Sequence, residues 1–484
     1  MWKQPMRFFR MPRERQVYLL DPQKLTQEAI AVIFAKTSRS PLTFKEIAHE
    51  LTEEKTSQFH ERWVVGYGHS SVAEHAVLHI AVENISRLAA ECLESNRLAS
   101  YTEKSSRYQK WGLDDFVIPP ELDGHSMRKG YIEVCQQLFD VYRKALAAVP
   151  PVLRRNHPQE KDEPGKEYEA RIHNLSIDTA RFLLPAASMT NVGVSINARA
   201  LEYALRKMLS SPIEEIRQVG REIKAQAVQV APTLVKYAES MPYLVETCTE
   251  LSAYGRRISS SEGTSSDWCR LVHFSPVVEE QILAPVLYRF SNLSYDQSIE
   301  KIRSMEEDEK TKLIECLLGN LGEHDEPLRE LEYANFTFDL ITDQGAYYEL
   351  KRHRMMTQTP QRLGINLGYT TPMAIAESTV FNEYQQVMQE VEKNWRELSG
   401  ESPEIAAYLL PNAFNRRVLV HLNLRSAFHL LQLRTAPNAH FSIRRIAQRM
   451  AEEIRKVSPL LAEFISVNKG ENWDEIEKRY FAQV

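Results

Sequence analysis

The chain has 484 residues, 43% of them hydrophobic and 26% charged, with a formal net charge of −5. This is the composition of an ordinary globular protein long enough for two or three domains. The acidic balance argues against nucleic-acid binding by the whole surface, although it leaves room for a local basic cleft.

The five cysteines (Cys92, Cys135, Cys248, Cys269 and Cys316) are scattered and form no Cys-x-x-Cys pair. They read as reduced thiols, which places the protein in the cytoplasm rather than among disulfide scaffolds or zinc sites. No apolar run approaches the roughly 20 residues of a membrane span. The opening segment Met1-Trp2-Lys3-Gln4-Pro5-Met6-Arg7 lacks the apolar stretch of a signal peptide.

In chain order, the first motif is Gly68-His69-Ser70-Ser71-Val72-Ala73-Glu74-His75. The spacing of its two histidines is not that of a helical metal pair, and no metal is expected. Leu78, Ile80 and Val82 then alternate as on a strand, followed by Glu94-Ser95-Asn96-Arg97 and Ser100-Tyr101-Thr102-Glu103-Lys104-Ser105-Ser106-Arg107-Tyr108. Residues 155–168 have the charge and Pro/Gly content of an exposed loop. Leu183-Leu184-Pro185 and Asn197-Ala198-Arg199 come next, and then a helix with an apolar stripe of Ile216, Val219, Ile223, Ala227 and Val230, closed by Pro232.

A polar stretch at 256–267 reads as the start of a connection, after which helical patterns appear around 277–290 and 309–321. The same landmarks then return in the same order. Phe336, Phe338 and Leu340 repeat the strand. Lys351-Arg352-His353-Arg354 follows it where Arg97 would align with Arg354. Leu409-Leu410-Pro411, Asn423-Leu424-Arg425 and the stripe Ile443, Ile446, Met450, Ile454 and Val457 complete the series. So many elements in one order mark an internal duplication. It divides the chain into copies at 1–245 and 246–484.

These residues make the chain resemble the flavin-dependent thymidylate synthases. The first copy is similar to the family's Gly-His-x-x-x-x-Glu-His and Ser-x-x-Glu-x-Ser-x-Arg-Tyr patterns. The second matches its Arg-His-Arg, Asn-x-Arg and Leu-Arg elements through Arg352-His353-Arg354, Asn423-x-Arg425 and Leu433-Arg434. The departures are complementary. Ser95-Asn96 and Met208 stand in the first copy where the family has Arg-His and a later Arg. Pro360, Arg362 and Gly364 stand in the second where it has Glu, Ser and Arg, and Ala407 occupies the position of Arg181.

The resemblance implies an α+β fold of two tandem copies, each pairing a small, mostly antiparallel sheet with long helices. It implies methylation of deoxyuridine monophosphate (dUMP) to the thymidine nucleotide, with FAD as cofactor and NADPH and methylenetetrahydrofolate as co-substrates. It also implies a homodimer that mimics the family's tetramer. Carried over residue by residue, the catalytic positions are His69, Ser105 and Arg434. Nucleotide binding falls to Glu103, Ser105, Arg107, Arg181, Arg352 and Arg434, and cofactor binding to His69, Ser100, Arg352, His353, Arg354, Asn423 and Arg425. The complementary losses predict one composite site joining Glu103-x-Ser105-x-Arg107 to Arg352-His353-Arg354, within one chain or between two.

The residue types suit that chemistry, because arginine gives bidentate, permanently charged forks for a phosphate dianion. Plainer readings stand beside it: a solvated basic turn at 352–354, a structural Asn197 and Asn423, and a turn-capping Ser105. Glu349 stands where the family would carry Gln, which leaves the base open between uracil and another pyrimidine. A non-catalytic binding or scaffold descendant is the remaining alternative.

Overall fold

The computed structural model describes residues 15–21, 24–38, 40–51, 53–59, 61, 70–107, 111–258, 267–322 and 324–482. The chain forms two compact units: Met1–His79 with Ser195–Leu205 and Glu222–Ala238, and Ile80–Val194 with Arg206–Arg221 and Glu239–Val484.

In the first unit, helix α1 (Gln27–Thr37) starts at Thr26, whose hydroxyl accepts from the Ala29 amide. Its Glu28 carboxylate accepts from the amides of Thr233 and Leu234, satisfying donors at the start of the short helix Pro232–Val235. Arg199, of the first Asn-x-Arg element, forms an ion pair with Glu74. Glu74 belongs to a 3-10 turn over Ser70–His75, and Gly68 and His69 lie outside the described residues.

The second unit carries the first copy's Glu103-x-Ser105-x-Arg107 segment and the second copy's motifs, Arg352-His353-Arg354, Asn423-x-Arg425 and Leu433-Arg434. Its trace runs through β1 (Val77–Ser86, which enters from the first unit), α2 (Arg87–Glu94), β2 (Ala99–Glu103), α3 (Arg128–Asn156), α4 (Gly165–Ala180) and β3 (Met189–Asn197). After helix α5 (Glu214–Val230), of which only 214–221 belong to this unit, come β4 (Cys269–Phe274), β5 (Asn335–Asp343), α6 (Gln344–Leu350), β6 (Thr357–Pro360), β7 (Asn415–Asn423), α7 (Leu424–Arg434) and α8 (Phe441–Val457). One sheet has the order β1-β3-β2, and the other β4-β5-β7-β6 with every pairing antiparallel. This is the expected α+β class with small sheets and long helices, and 77–86 and 335–343 are equivalent strands.

Local sequence explains the repeat. Each copy runs strand, capping residue, helix. Ser86 accepts from the Ala89 amide at the start of α2, and Asp343 accepts from the Ala346 amide at the start of α6. Asn423 does the same for Ser426 ahead of α7. Such caps satisfy an orphan helical donor and contribute about 1 kcal/mol each. Side-chain alternation on β5 puts Phe336, Phe338 and Leu340 wholly inside, against the Ile443, Ile446, Met450 and Ile454 stripe of α8. The matching stripe of α5 buries Ile216, Val219, Ile223 and Ala227, but Val230, also expected there, is exposed because it is the last residue of the helix.

The two halves of the repeat meet along matched backbone segments. The Ala186 amide donates to the Leu410 carbonyl at 2.9 Å, and its counterpart, the Asn412 amide, donates to the Leu184 carbonyl at 3.0 Å. This reciprocity is the mark of a pseudo-twofold axis. Residue 245, read as the copy boundary, falls within the helix Pro242–Ile258, and most of the connection expected at 256–267 lies outside the described residues. Of the exposed loop expected at 155–168, residues 157–164 do connect α3 and α4, whereas 155–156 end α3 and 165–168 begin α4. Among the described residues no helix is long and apolar enough to cross a membrane.

Candidate active site

A cavity of about 430 Å³ opens where the ends of β2 and α4 approach α6 and α7. Both copies line it: Glu103, Ser105, Arg107 and Arg181 come from the first, and Glu349, Arg352 and Arg434 from the second. Glu103, Ser105 and Arg107 of the first motif thus line one cavity with Arg352 of the second within a single chain, while His353 and Arg354 do not line it.

Each side chain is placed by its element. Glu103 ends β2, and the chain then turns so that the Ser105 hydroxyl accepts from the Arg107 amide at 3.2 Å. Ser105 is thus a turn-capping residue and a cavity residue at once. Arg107 makes a two-pronged pair with Asp178 of α4 (Nε to Oδ1 2.9 Å, Nη2 to Oδ2 2.7 Å) and donates to the Asn438 carbonyl. Arg181, just past the end of α4, bonds Ser106 Oγ at 3.3 Å and Glu349 Oε1 at 2.8 Å. Glu349 Oε2 accepts from Arg434 Nη1 at 3.2 Å, so this carboxylate ties an arginine of each copy together.

Electrostatics keep these carboxylates ionised. Burial opposes the charge on Glu103, but Arg87, Lys351, Arg352 and a bond from Thr190 outweigh it and hold the carboxyl below its ordinary range. Burial likewise opposes ionisation of Glu349, and the Arg181, His440 and Arg434 side chains overcome it. Glu103 Oε1 meets Arg87 Nη1 at 3.0 Å. Its Oε2 is buried without a hydrogen-bond donor, the Arg352 guanidinium standing 3.6 Å away. An ionised, donor-poor acceptor among arginines suits a ligand that brings its own O–H or N–H.

A second cavity, of about 640 Å³, shares Arg352 and Arg434 with the first and continues past His353, Arg354, Asn423 and Arg425. His353 accepts from Arg434 Nε at 2.8 Å, and burial, Arg434 and His429 push its pKa down to about 3. It is a neutral acceptor at ordinary pH. Arg354 donates to the Arg97 carbonyl at 3.1 Å and lies over the Tyr101 ring. Arg425 bonds the Pro327 carbonyl and pairs with Glu326 and Glu332, while Asn423 both caps α7 and faces the cavity.

Of the residues read from sequence, Glu103, Ser105, Arg107, Arg181, Arg352 and Arg434 converge on the first cavity, and His353, Arg354, Asn423 and Arg425 on the second. Ser100 lies exposed on β2 and lines neither, and His69 is outside the described residues.

Sequence reading missed Arg87, whose guanidinium pairs with Glu103 and stacks on the Tyr348 ring at 4.3 Å. A signal was there: Arg87 is the first residue of α2, and a cation at a helix N-terminus opposes the dipole. Asp178, the partner of Arg107, carried no motif at all.

The family model described as "Thymidylate synthase complementing protein" matches residues 19–233 and again 281–460. A UPF0159 protein of Chlamydia pneumoniae is 29% identical over 428 residues, covering 85% of this chain and 80% of that protein. One from Thermoplasma acidophilum is 28% identical over 455 residues, covering 86% and 89%. The flavin-dependent thymidylate synthase of Clostridium tetani is 31% identical over 223 residues, covering 46% of this chain and 84% of that one. Among solved structures, a UMP/dUMP methylase from Streptomyces cacaoi aligns with 40% of this chain and 93% of that chain, at a TM-score of 0.33 and 17% identity.

Proposed function

The chain belongs to the thymidylate synthase complementing protein family, and on that footing we propose that it is an FAD-dependent thymidylate synthase. It would methylate dUMP reductively to dTMP with methylenetetrahydrofolate and NADPH, as a homodimer of two-copy chains divided near 245. The observation that carries this reading is the arginine-lined cavity, to which each copy supplies the motif the other lacks.

In this reading Arg107, Arg181, Arg352 and Arg434 receive the phosphate dianion, with Ser105 beside them. Multiple bidentate cations suit a dianion better than point charges do. Asp178 and Glu349 hold the arginine planes before the ligand arrives, so little ordering is left for the binding step. Glu103 Oε2 accepts from a sugar hydroxyl. Arg434 and Ser105 orient the nucleotide for reaction, together with His69.

The second cavity fits a flavin dinucleotide in volume class and donor set. It lies within the range of ligand sites. Arg352, Arg354 and Arg425 offer charge for a pyrophosphate, while neutral His353 offers a flat polar face next to Arg434. Bound there, a reduced flavin supplies hydride chemistry that the side chains lack. The chain's own residues bind, orient and neutralise charge; no cysteine lines the first cavity, and no covalent nucleophile is invoked.

Glu349 supports a second reading, methylation of another pyrimidine nucleotide, because an ionised carboxylate among the arginines accepts hydrogen bonds but donates none. The test is product formation by purified protein with methylenetetrahydrofolate and NADPH, offered dUMP, UMP or dCMP separately. A flavin band near about 450 nm accompanies the proposed activity. Turnover of UMP or dCMP alone moves the assignment to the second reading. No turnover with any of the three, by a protein that holds no flavin, leaves a non-catalytic binding role.

A further inference from the structure

A third cavity, of about 420 Å³, stands where the pseudo-twofold axis would carry the arginine cavity. The register that aligns Arg97 with Arg354 sets Arg352 against Ser95 and Glu349 against Cys92. It also sets Glu103 against Pro360. Ser95, Cys92 and Pro360 all line this cavity, just as their counterparts line the first. It also matches the first closely in volume. Arg97 and its duplicate Arg354 meet at its edge: Arg354 donates to the Arg97 carbonyl, and Arg97 donates to the Met356 carbonyl, each at 3.1 Å.

We infer that this cavity is the silenced twin of the nucleotide site, so that one chain binds a single nucleoside monophosphate despite containing two copies. The inference rests on the proposed nucleotide function of the first cavity and deepens it.

Each of the four arginines that receive the phosphate in the proposed site is matched in the twin by an uncharged residue. Arg352 has become Ser95, and Arg434 has become the wholly buried, apolar Met208. Gly364 stands for Arg107 and Ala407 for Arg181. Where the first cavity is lined by five arginines against two glutamates, the twin has three cations against two glutamates. The remaining charges are tied internally. Lys351 Nζ meets Glu94 at 2.7 Å with both side chains buried, and Glu91 accepts from Arg416 at 2.8 Å. Ser95, which lines the twin, is itself held from outside: Lys207 Nζ donates to Ser95 Oγ at 2.5 Å and to Asn96 Oδ1 at 2.9 Å.

Breaking a buried pair such as Lys351–Glu94 to admit a phosphate would leave an uncompensated buried charge. The twin is therefore an open cavity whose buried lining charges, Lys351 and Glu94, already satisfy each other. Loss of all these groups on one side alone, with their retention on the other, gives each chain an active face and a bracing face.

Calorimetric titration of the full-length protein with dUMP counts the sites. One mole bound per mole of chain is expected, abolished by Arg434→Ala and unchanged by Ser95→Trp, which puts an indole at the mouth of the twin. A thermal melt of each variant confirms that it folds. Two moles per chain, with the second lost in Ser95→Trp and kept in Arg434→Ala, overturns the inference while leaving the proposed nucleotide function standing. No saturable binding of dUMP by wild-type protein overturns the nucleotide assignment and this inference with it.

Discussion

Pro185 and Pro411 face each other in an antiparallel bridge, and each is the other's counterpart in the duplicated sequence. Proline lacks an amide proton, so the reciprocal hydrogen bonds fall instead to Ala186 and Asn412, one residue further on in each copy. A residue paired with its own duplicate lies on the pseudo-twofold axis. Across that axis Arg107 of one copy and Arg434 of the other line one cavity.

Arg107→Ala tests the nucleotide assignment. It removes a charge-assisted group, at a cost of about 1.5 to 3 kcal/mol in nucleotide affinity, while Asp178 keeps Arg181 at 3.5 Å as a remaining partner. Equilibrium dUMP binding should weaken by roughly ten- to a hundredfold, with flavin content per chain nearly unchanged. Loss of flavin with intact nucleotide affinity would reverse the two cavity assignments.

The paired change Arg352→Ala, His353→Ala should do the opposite first. His353 accepts from Arg434 in the second cavity, and Arg352 lines both. Purified double variant should carry little flavin by absorbance while its melting temperature stays close to wild type. Full flavin retention would remove the Arg-His-Arg segment from the cofactor site.

Much of this was legible in sequence. Strands β1 and β5 announce themselves through side-chain alternation, and α8 through its stripe, because burial on one face imposes a period that needs no tertiary information. The composite site was legible because the two copies lost complementary residues. What sequence could not supply was long-range pairing. Asp178 lies in a polar helical stretch and earns its place only through Arg107, and Arg87 becomes a site residue only when Glu103 and Tyr348 close around it. The closure of both motifs within one chain depends on the Leu184–Ala187 and Leu410–Ala413 contact, which no local pattern encodes.

Glu349→Gln should separate stability from affinity. The carboxylate holds Arg181 and Arg434 together, and its replacement leaves two largely buried guanidinium groups less well compensated. Without ligand the variant should melt at a lower temperature than wild type. A phosphate dianion then restores the missing negative charge, so the rise in melting temperature on adding saturating dUMP should exceed that of wild type. An equal or smaller rise would mean that Glu349 does not face the phosphate.

Acid sensitivity should begin near pH 6.5. His440 is buried beneath Phe182 and Phe441, with Nε2 on the Asp178 carbonyl and Nδ1 accepting from the Ser442 amide. Burial and then Arg181 lower its pKa to about 4, and His157 is lowered to about 4 as well, chiefly by burial. The unfolded chain therefore binds more protons than the folded one between about pH 6.5 and pH 4. The contribution is fully present above pH 6.5 and is lost as pH falls through that window, at about 1.4 kcal/mol per pH unit for each such group. His440→Asn keeps a capping side chain and should reduce the slope of unfolding free energy against pH by about that amount. An unchanged slope in denaturant titrations from pH 7 to pH 4.5 would mean that His440 titrates normally.

The central claim is that both copies of one chain build one site, and a mixing experiment reaches it most directly. Arg107→Ala and Arg434→Ala proteins, each impaired alone, are co-expressed with different tags, and mixed assemblies are purified by tandem capture and assayed for dTMP formation at a dUMP concentration that saturates wild type but not the variants. Because Arg107 and Arg434 line the same cavity within one chain, every site in the mixture carries one defect, and turnover should stay at the level of the single variants. Recovery toward half of wild-type turnover would show that the two residues come from different chains, and the single-chain site would be wrong.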